Sequence, residues 1–242
     1  MDLTNVAYSD EYQNMCNEAI AVRILKTDEP DIILSEGGYS RIITSYTDNY
    51  EGYNSPITYN KVYNPDNILI HEYKCLQRHP SFCTPVTHSN NREYLVYNEG
   101  GYGYSVLDIE SKETFKYIPA ASFILEFSLH IPFTFLKFEE TFIAYIISYN
   151  PANDIFAATG YFWAGRCTTF LFEVKNPMKQ FTRYLDIGLI VPHRDKYYAV
   201  DFHEWEDTDI LLKCSFEFEN GSDCEIIKIP QTKYMRFMKE SL

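Results

Sequence analysis

The sequence predicts an all-β chain of antiparallel meanders, and three observations carry that prediction. Tyr and Phe are abundant, 21 and 17 of 242 residues, and both suit a pleated, half-buried surface. Short apolar runs recur between clusters of Gly, Pro, Asn and Asp, which reverse a chain through fixed φ, side-chain-to-backbone bonds or positive φ. The third observation is the stretch from Thr141 to Val174. It holds three β-rich runs, Phe142–Tyr149, Ile155–Phe162 and Thr168–Val174. Asn150-Pro151-Ala152-Asn153-Asp154 divides the first two, and a turn centred on Ala164-Gly165-Arg166 divides the second pair. A three-stranded meander is expected there, with Phe142, Ile146, Ile155, Ala157, Phe170 and Phe172 buried.

The length suits a single mostly-β domain over 1–242: an N-terminal segment 1–30, meanders over 31–230 and a tail 231–242. In the first segment Tyr12, Met15, Cys16, Ala19, Ile20 and Ile24 recur at helical spacing behind Ser9-Asp10-Glu11, while Val22–Leu25 equally suits a strand. Ile32–Leu34 is a short strand, and Glu36-Gly37-Gly38-Tyr39 turns the chain into Ser40–Tyr46. Residues 47–67 read as a long Tyr-, Asn- and Gly-rich surface loop with one short strand near Ile57–Val62. Ile68–Cys75 is the next strand, and Leu76–Asn91, with two Pro and two His, an irregular connection. Glu93–Tyr97, Tyr104–Ile109 and Thr114–Ile118 are strands separated by Asn98-Glu99-Gly100-Gly101 and Glu110-Ser111-Lys112. Residues 120–138 are apolar, with Pro132 excluding a regular helix through their centre. After the central meander come Phe181–Leu185, Ile187–Val191, Tyr197–Phe202, Ile210–Phe218 and Cys224–Ile229, with Asn220-Gly221-Ser222 closing the last pair as a hairpin. The tail from Gln231 is amphipathic and reads as a short helix.

Two internal echoes are visible: Tyr63-Asn64-Pro65-Asp66-Asn67-Ile68 with Tyr149-Asn150-Pro151-Ala152-Asn153-Asp154-Ile155, and Glu36-Gly37-Gly38-Tyr39 with Glu99-Gly100-Gly101-Tyr102. The Asn-Pro turn, its apolar strand, the small loop and the strand ending in Phe172-Glu173-Val174 resemble one blade of a β-propeller. Gly160-Tyr161-Phe162-Trp163 similarly resembles the Gly-x-x-Trp strand ends of small propeller-like proteins. The resemblance covers residues 92–230 and lacks the Trp-Asp and Gly-His signatures of WD repeats. It implies architecture only: about five blades at ~40–45 residues each, or a shorter open array. A small propeller is the expected fold, with a β-sandwich or barrel as the alternative.

The formal charge is −13, which repels phosphate and argues against nucleic acid as a direct partner. The charge is uneven, since residues 1–60 hold ten acids against Arg23, Lys26 and Arg41. Six cysteines are scattered without a Cys-x-x-Cys pair, the start MDLTNVAYSDEY lacks signal-peptide character, and no apolar run reaches membrane-spanning length. A cytoplasmic chain with reduced thiols, and no membrane contact, is the expectation.

No catalytic signature stands in the sequence, so no catalytic residue, cofactor or metal is assigned. The densest polar group is Asp201, His203, Glu204 and Glu206; on one regular strand Asp201 and His203 would share a face and Glu204 take the other. Such a group could serve acid–base or metal chemistry, although no His-x-His or His-x3-His spacing accompanies it. His71-Glu72 with Cys75, His79, Cys83 and His88 is a second cluster, without a familiar zinc spacing. Gly100-Gly101-Tyr102-Gly103 lacks the Lys-Ser/Thr of a phosphate loop and opens a strand, so it reads as a turn. The expected function is a non-enzymatic interaction or structural module. Its partner-binding tyrosines would be Tyr46, Tyr50, Tyr53, Tyr59 and Tyr63, and acidic surroundings favour a basic protein partner. The alternative is a glycan-directed hydrolase using carboxylates and aromatics in a central cleft.

Overall fold

A computed structural model describes residues 31–34, 38–46, 57–76, 82–98, 104–117, 143–161, 167–179, 181, 183–218 and 221–240. They form four antiparallel sheets and one short α-helix. The mostly-β reading therefore stands. The chain divides into two compact units, Met1–Val86 with Glu93–Ala120, and Thr87–Arg92 with Ala121–Leu242. Among the described residues each sheet has two different end strands, so none closes into a barrel. The helical pattern within residues 1–30, the apolar stretch 120–138 and Phe142 lie outside the described residues.

The first unit holds two meanders. β1 (Asp31–Leu34), β2 (Ser40–Tyr46), β3 (Ile57–Tyr63) and β4 (Leu69–Leu76) pair in sequence order, as do β5 (Cys83–Thr87), β6 (Glu93–Tyr97), β7 (Tyr104–Asp108) and β8 (Thr114–Tyr117). Val62, Tyr73 and Cys75 of the first sheet pack with Leu95, Tyr97 and Leu107 of the second in one core. The turn into β2 requires glycine, because Gly38 takes φ +78° and a Cβ there would lie 3.4 Å from Pro65. Asp108 ends β7 and accepts from the backbone N–H of Glu110 and Ser111, both at 3.1 Å, so Lys112 can take φ 63° and reverse the chain.

The strand β5 corrects the irregular connection expected over Leu76–Asn91. Pro85 argued against a strand, yet β5 is the outer strand of its sheet, and a proline is tolerated where the missing N–H faces away from the ladder. Asn98 anchors the entry to β5, accepting from Phe82 N at 3.1 Å through its side chain.

The second unit contains β9 (Ile143–Asn150), β10 (Ile155–Tyr161), β11 (Thr168–Glu173) and β12 (Arg183–Asp186), extended at the β12 edge by β16 (Lys239–Glu240). Its other sheet is β13 (Ala199–Glu206), β14 (Asp209–Phe218) and β15 (Gly221–Ile229), followed by helix α1 (Gln231–Phe237). Ile155, Ala157, Leu171 and Leu185 from one sheet share a core with Val200, Ile210, Leu212, Cys214 and Ile229 from the other, and Tyr234 of α1 joins them. The two sheets are also tied by hydroxyls. Thr169 donates to Val200 O at 3.1 Å, Thr159 accepts from Phe202 N at 2.9 Å, and the two hydroxyls lie 2.9 Å apart. Thr159 is therefore left to donate to Thr169, so every group in this buried chain is satisfied.

The Asn-Pro turn between β9 and β10 docks on the turn between β13 and β14. Asn150 donates to Asp207 O at 2.6 Å, Tyr234 donates to Thr208 O at 2.6 Å, and Asn153 donates to the Tyr234 hydroxyl at 2.7 Å. Arg183 holds the far end of α1 by donating to Met235 O and Met238 O at 2.8 and 3.1 Å, carbonyls that a helix leaves without intrahelical partners.

Three further expectations are corrected. Ile187–Val191 is no strand: Ile187–Leu189 forms a 3-10 turn, because the Asp186 carboxylate accepts from Gly188 N at 2.9 Å and from Thr168 at 2.7 Å. Ile146 is 42% exposed, since β9 is the outer strand of its sheet and its register to β10 slips between Thr159 and Gly160. The last hairpin pairs Phe218 with Gly221, so the reversal falls one residue earlier than Asn220-Gly221-Ser222. Ile155, Ala157, Phe170 and Phe172 are buried as expected.

Candidate functional site

The tyrosine group begins on β3. Thr58, Asn60 and Val62 are buried, so strand alternation puts Tyr59, Lys61 and Tyr63 on the opposite face. The ladder flanks Tyr59 with Thr44 and Lys74, Lys61 with Ile42 and Glu72, and Tyr63 with Ser40 and Leu69. Lys61 pairs with Glu72 at 3.4 Å and lies 5.6 Å from the centre of the Tyr59 ring. Two exposed apolar residues border this face, Ile68 at 59% and Leu69 at 43%. Tyr46 closes β2 opposite Ile57, so residues 47–56 leave from that end of the hairpin. Tyr50 and Tyr53 belong to those residues and lie outside the described ones.

The polar group expected around Asp201 is rearranged by a bulge. Phe202 pairs with Leu212 while Glu204 pairs with Leu211, which leaves His203 as the extra residue and resets the alternation. Trp205 consequently packs toward the core beside Phe202, with ring centroids 5.5 Å apart. His203 and Glu204 are exposed, 3.8 Å from each other, and Glu206 pairs with Lys228 at 2.7 Å.

Asp201 instead meets two residues that the sequence did not single out. Tyr145 donates to its Oδ1 at 2.9 Å, Cys167 donates to the same oxygen at 3.0 Å, and the Tyr145 hydroxyl lies 2.8 Å from Cys167 Sγ. Tyr145 reaches inward because it is the residue bypassed by the register slip in β9. Cys167 is placed by a parallel bridge to Ala199, and Arg194 donates to its carbonyl at 3.1 Å. Burial, and then the bond to Asp201, push the Cys167 thiol up to about 12; burial and the Cys167 bond push the Tyr145 phenol up as well. The thiolate is the reactive form of cysteine, so this arrangement suits a hydrogen-bonded cross-link better than a nucleophile. Residues 145, 167 and 201 are far apart in sequence, and no local pattern announces a register slip, so nothing in the sequence could have joined them.

Of the second cluster, Cys75 and Cys83 meet at Tyr73 in the core of the first unit. In the first unit His71 stacks on Tyr73 and tilts against Tyr97, at 5.7 and 4.7 Å between centroids. Cys75 is buried beside them, and burial pushes the Cys83 thiol up to about 11. His88 belongs to the second unit, where Nε2 lies 2.9 Å from Val174 O and Nδ1 accepts from Asn90 N at 3.2 Å. A carbonyl only accepts, so Nε2 carries the hydrogen and neither ring nitrogen has a lone pair to offer a metal. His79 lies outside the described residues. Among the described residues no group of three or more His, Cys, Asp or Glu could hold a metal ion, none of the helices is long and apolar enough to cross a membrane, and the five described cysteines form no disulfide with one another.

No family model matches the chain, and no curated protein or solved structure is similar to it.

Proposed function

We propose that the chain is a non-enzymatic, cytoplasmic protein-interaction module, with propeller-like meanders as scaffold and the outer face of β2–β3–β4 as its contact surface. One observation carries this reading: Tyr59 and Tyr63 stand on the side of β3 away from the core, with Ile42 and Leu69 on the adjoining strands and the Lys61–Glu72 pair between them. Aromatic contact area with few rotatable bonds is typical of recognition surfaces. The loop bearing Tyr50 and Tyr53 leaves from the same hairpin, and the acidic N-terminal quarter favours a basic partner.

The test uses two variants, Tyr59→Ser with Tyr63→Ser, and Tyr50→Ser with Tyr53→Ser. Cross-linking in cells followed by mass spectrometry identifies the partner, and titration of that purified partner gives the affinity. Loss of at least about tenfold in affinity at an unchanged melting temperature supports the reading. Unaltered affinity in both variants, or a cross-linked set without a reproducible protein, removes it.

A further inference from the structure

We propose that the outer edge of β15 takes up an extended, alternately apolar and basic segment of a partner as an added antiparallel strand. The surface lies in the second unit and is independent of the tyrosine face.

Among the described residues β15 pairs with β14 alone, so one side of its backbone has no strand partner; on that side Cys224 N donates to the Asp223 carboxylate at 2.8 Å, a bond an incoming strand would replace. Its pairing to β14 runs from Ile210↔Ile229 to Phe218↔Gly221 without a register slip, unlike the β3–β4, β9–β10 and β13–β14 pairings. Of the devices that make an edge unfit for pairing, β15 has neither bulge nor proline, and its one lysine, Lys228, is held by Glu206 and Asp209 at 2.7 and 3.1 Å. Gly221 through Ile226 are all exposed, and only Ile229 is buried. Beyond Ser215↔Cys224, where β13 stops pairing, β14 and β15 run on as a two-stranded ribbon; Phe218 at its tip is 55% exposed, and Ile226 behind it 49%. A two-stranded ribbon gains stability from a third strand.

The side chains specify the occupant. Alternation puts Asp223 and Glu225 on one face of β15, and Cys224 and Ile226 on the other. Residues 215–226 contain four acids and no Lys or Arg; Glu225 is held by Lys196 at 2.7 Å. An incoming strand meets these positions in turn, so basic residues fall opposite Asp223 and Glu225, and apolar ones opposite Cys224 and Ile226. Main-chain bonds to the edge supply affinity, and the alternation supplies selectivity.

The probe is a fluorescein-labelled hexapeptide of alternating valine and lysine, titrated by fluorescence anisotropy against the full chain. Two controls are the same residues in blocks, three Val then three Lys, and the alternating peptide with every second backbone nitrogen methylated. Saturable binding of the alternating peptide, with both controls weaker by about tenfold or more, is the expected result. Asp223→Lys with Ile226→Thr should weaken binding by a similar factor. Glu225 is left in place because Tyr197 and Lys196 depend on it. Equal binding of the block peptide would mean general attraction to an acidic protein, and equal binding of the methylated one would remove the strand addition. Both comparisons use the unaltered chain, so they decide even where the double variant fails to fold. Sedimentation showing a dimer that the peptide does not dissociate would give the edge to a second copy, and would also overturn the proposal.

Discussion

At the residue scale the core was the most legible feature. Phe170 lies in β11, whose six residues are all buried, and its ring stacks on Phe172 at 6.1 Å. Phe170→Ala should cost about 3–5 kcal/mol, read as a shift in the urea midpoint with an unchanged slope. Such residues are readable because an apolar run on both faces of a strand needs no knowledge of its neighbours. Ile146 was misread for the opposite reason, since its exposure depends on an edge position and a register slip that only the pairing reveals. Cys167 gives a second prediction. Burial and the Asp201 bond hold its thiol up at about 12, so iodoacetamide at pH 8 should modify exposed Cys224 well before Cys167. Asp201→Asn removes an influence that raises the thiol, and should speed Cys167 alkylation by about tenfold or more, as read by peptide mass spectrometry. An unchanged rate would mean that burial alone holds the proton.

At the element scale, strands with clear turn signals were found almost residue for residue, as with Ser40–Tyr46 and Glu93–Tyr97. The failures share one cause: tertiary position overrules a local signal. Pro85 belongs to a strand because that strand is outermost, and Ile187–Val191 is a turn because Asp186 captures Gly188 N. The echo at Asn150-Pro151 was visible, but its clasp on Asp207, Thr208 and Tyr234 joins residues that no sequence pattern connects. Tyr234→Phe tests that clasp. The hydroxyl donates to Thr208 O and accepts from Asn153, and its ring is fully buried. Its removal leaves these groups with poorer partners and should cost about 1–3 kcal/mol in chemical denaturation, without changing the far-ultraviolet spectrum. A loss below a few tenths would show the clasp to be dispensable.

For the whole molecule, the balance of aromatic and charged groups predicts how stability responds to pH. Burial pushes Tyr39 and Tyr197 up to about 12, reinforced by bonds to Glu93 and Glu225; Tyr73, Tyr104 and Tyr234 are raised too, mainly by burial. A raised pKa in the folded state means stability that is complete below the ordinary tyrosine value near 10 and is lost as pH climbs through the folded values. Phenolate absorbance should therefore rise in two phases, exposed tyrosines first and the buried set together with unfolding above pH 10. A single smooth titration on a chain that stays folded would contradict the burial. Toward acid the sign reverses. Lys196 and Tyr197 hold the Glu225 carboxyl low, and the Gln231 N–H and Lys228 do so for Asp209, so their support is complete above the ordinary carboxylate range and is lost below it, as pH falls through the lowered folded values. The all-β class was legible from composition and turns. The grouping of Thr87–Arg92 with residues far downstream was not, because no local pattern marks it.

The strand β16 sets an order in time. Its partner β12 ends at Asp186, while β16 begins at Lys239, and all of β13, β14 and β15 is synthesised between them. At about 5–20 residues per second, the first of the pair waits on the order of 3–10 s for the second to leave the ribosome. During that interval the five-stranded sheet lacks its last member, the site of Tyr234 is vacant and the Arg183 guanidinium has no helix end to hold. A nascent chain is most open to mispairing, and to chaperone capture, in those few seconds.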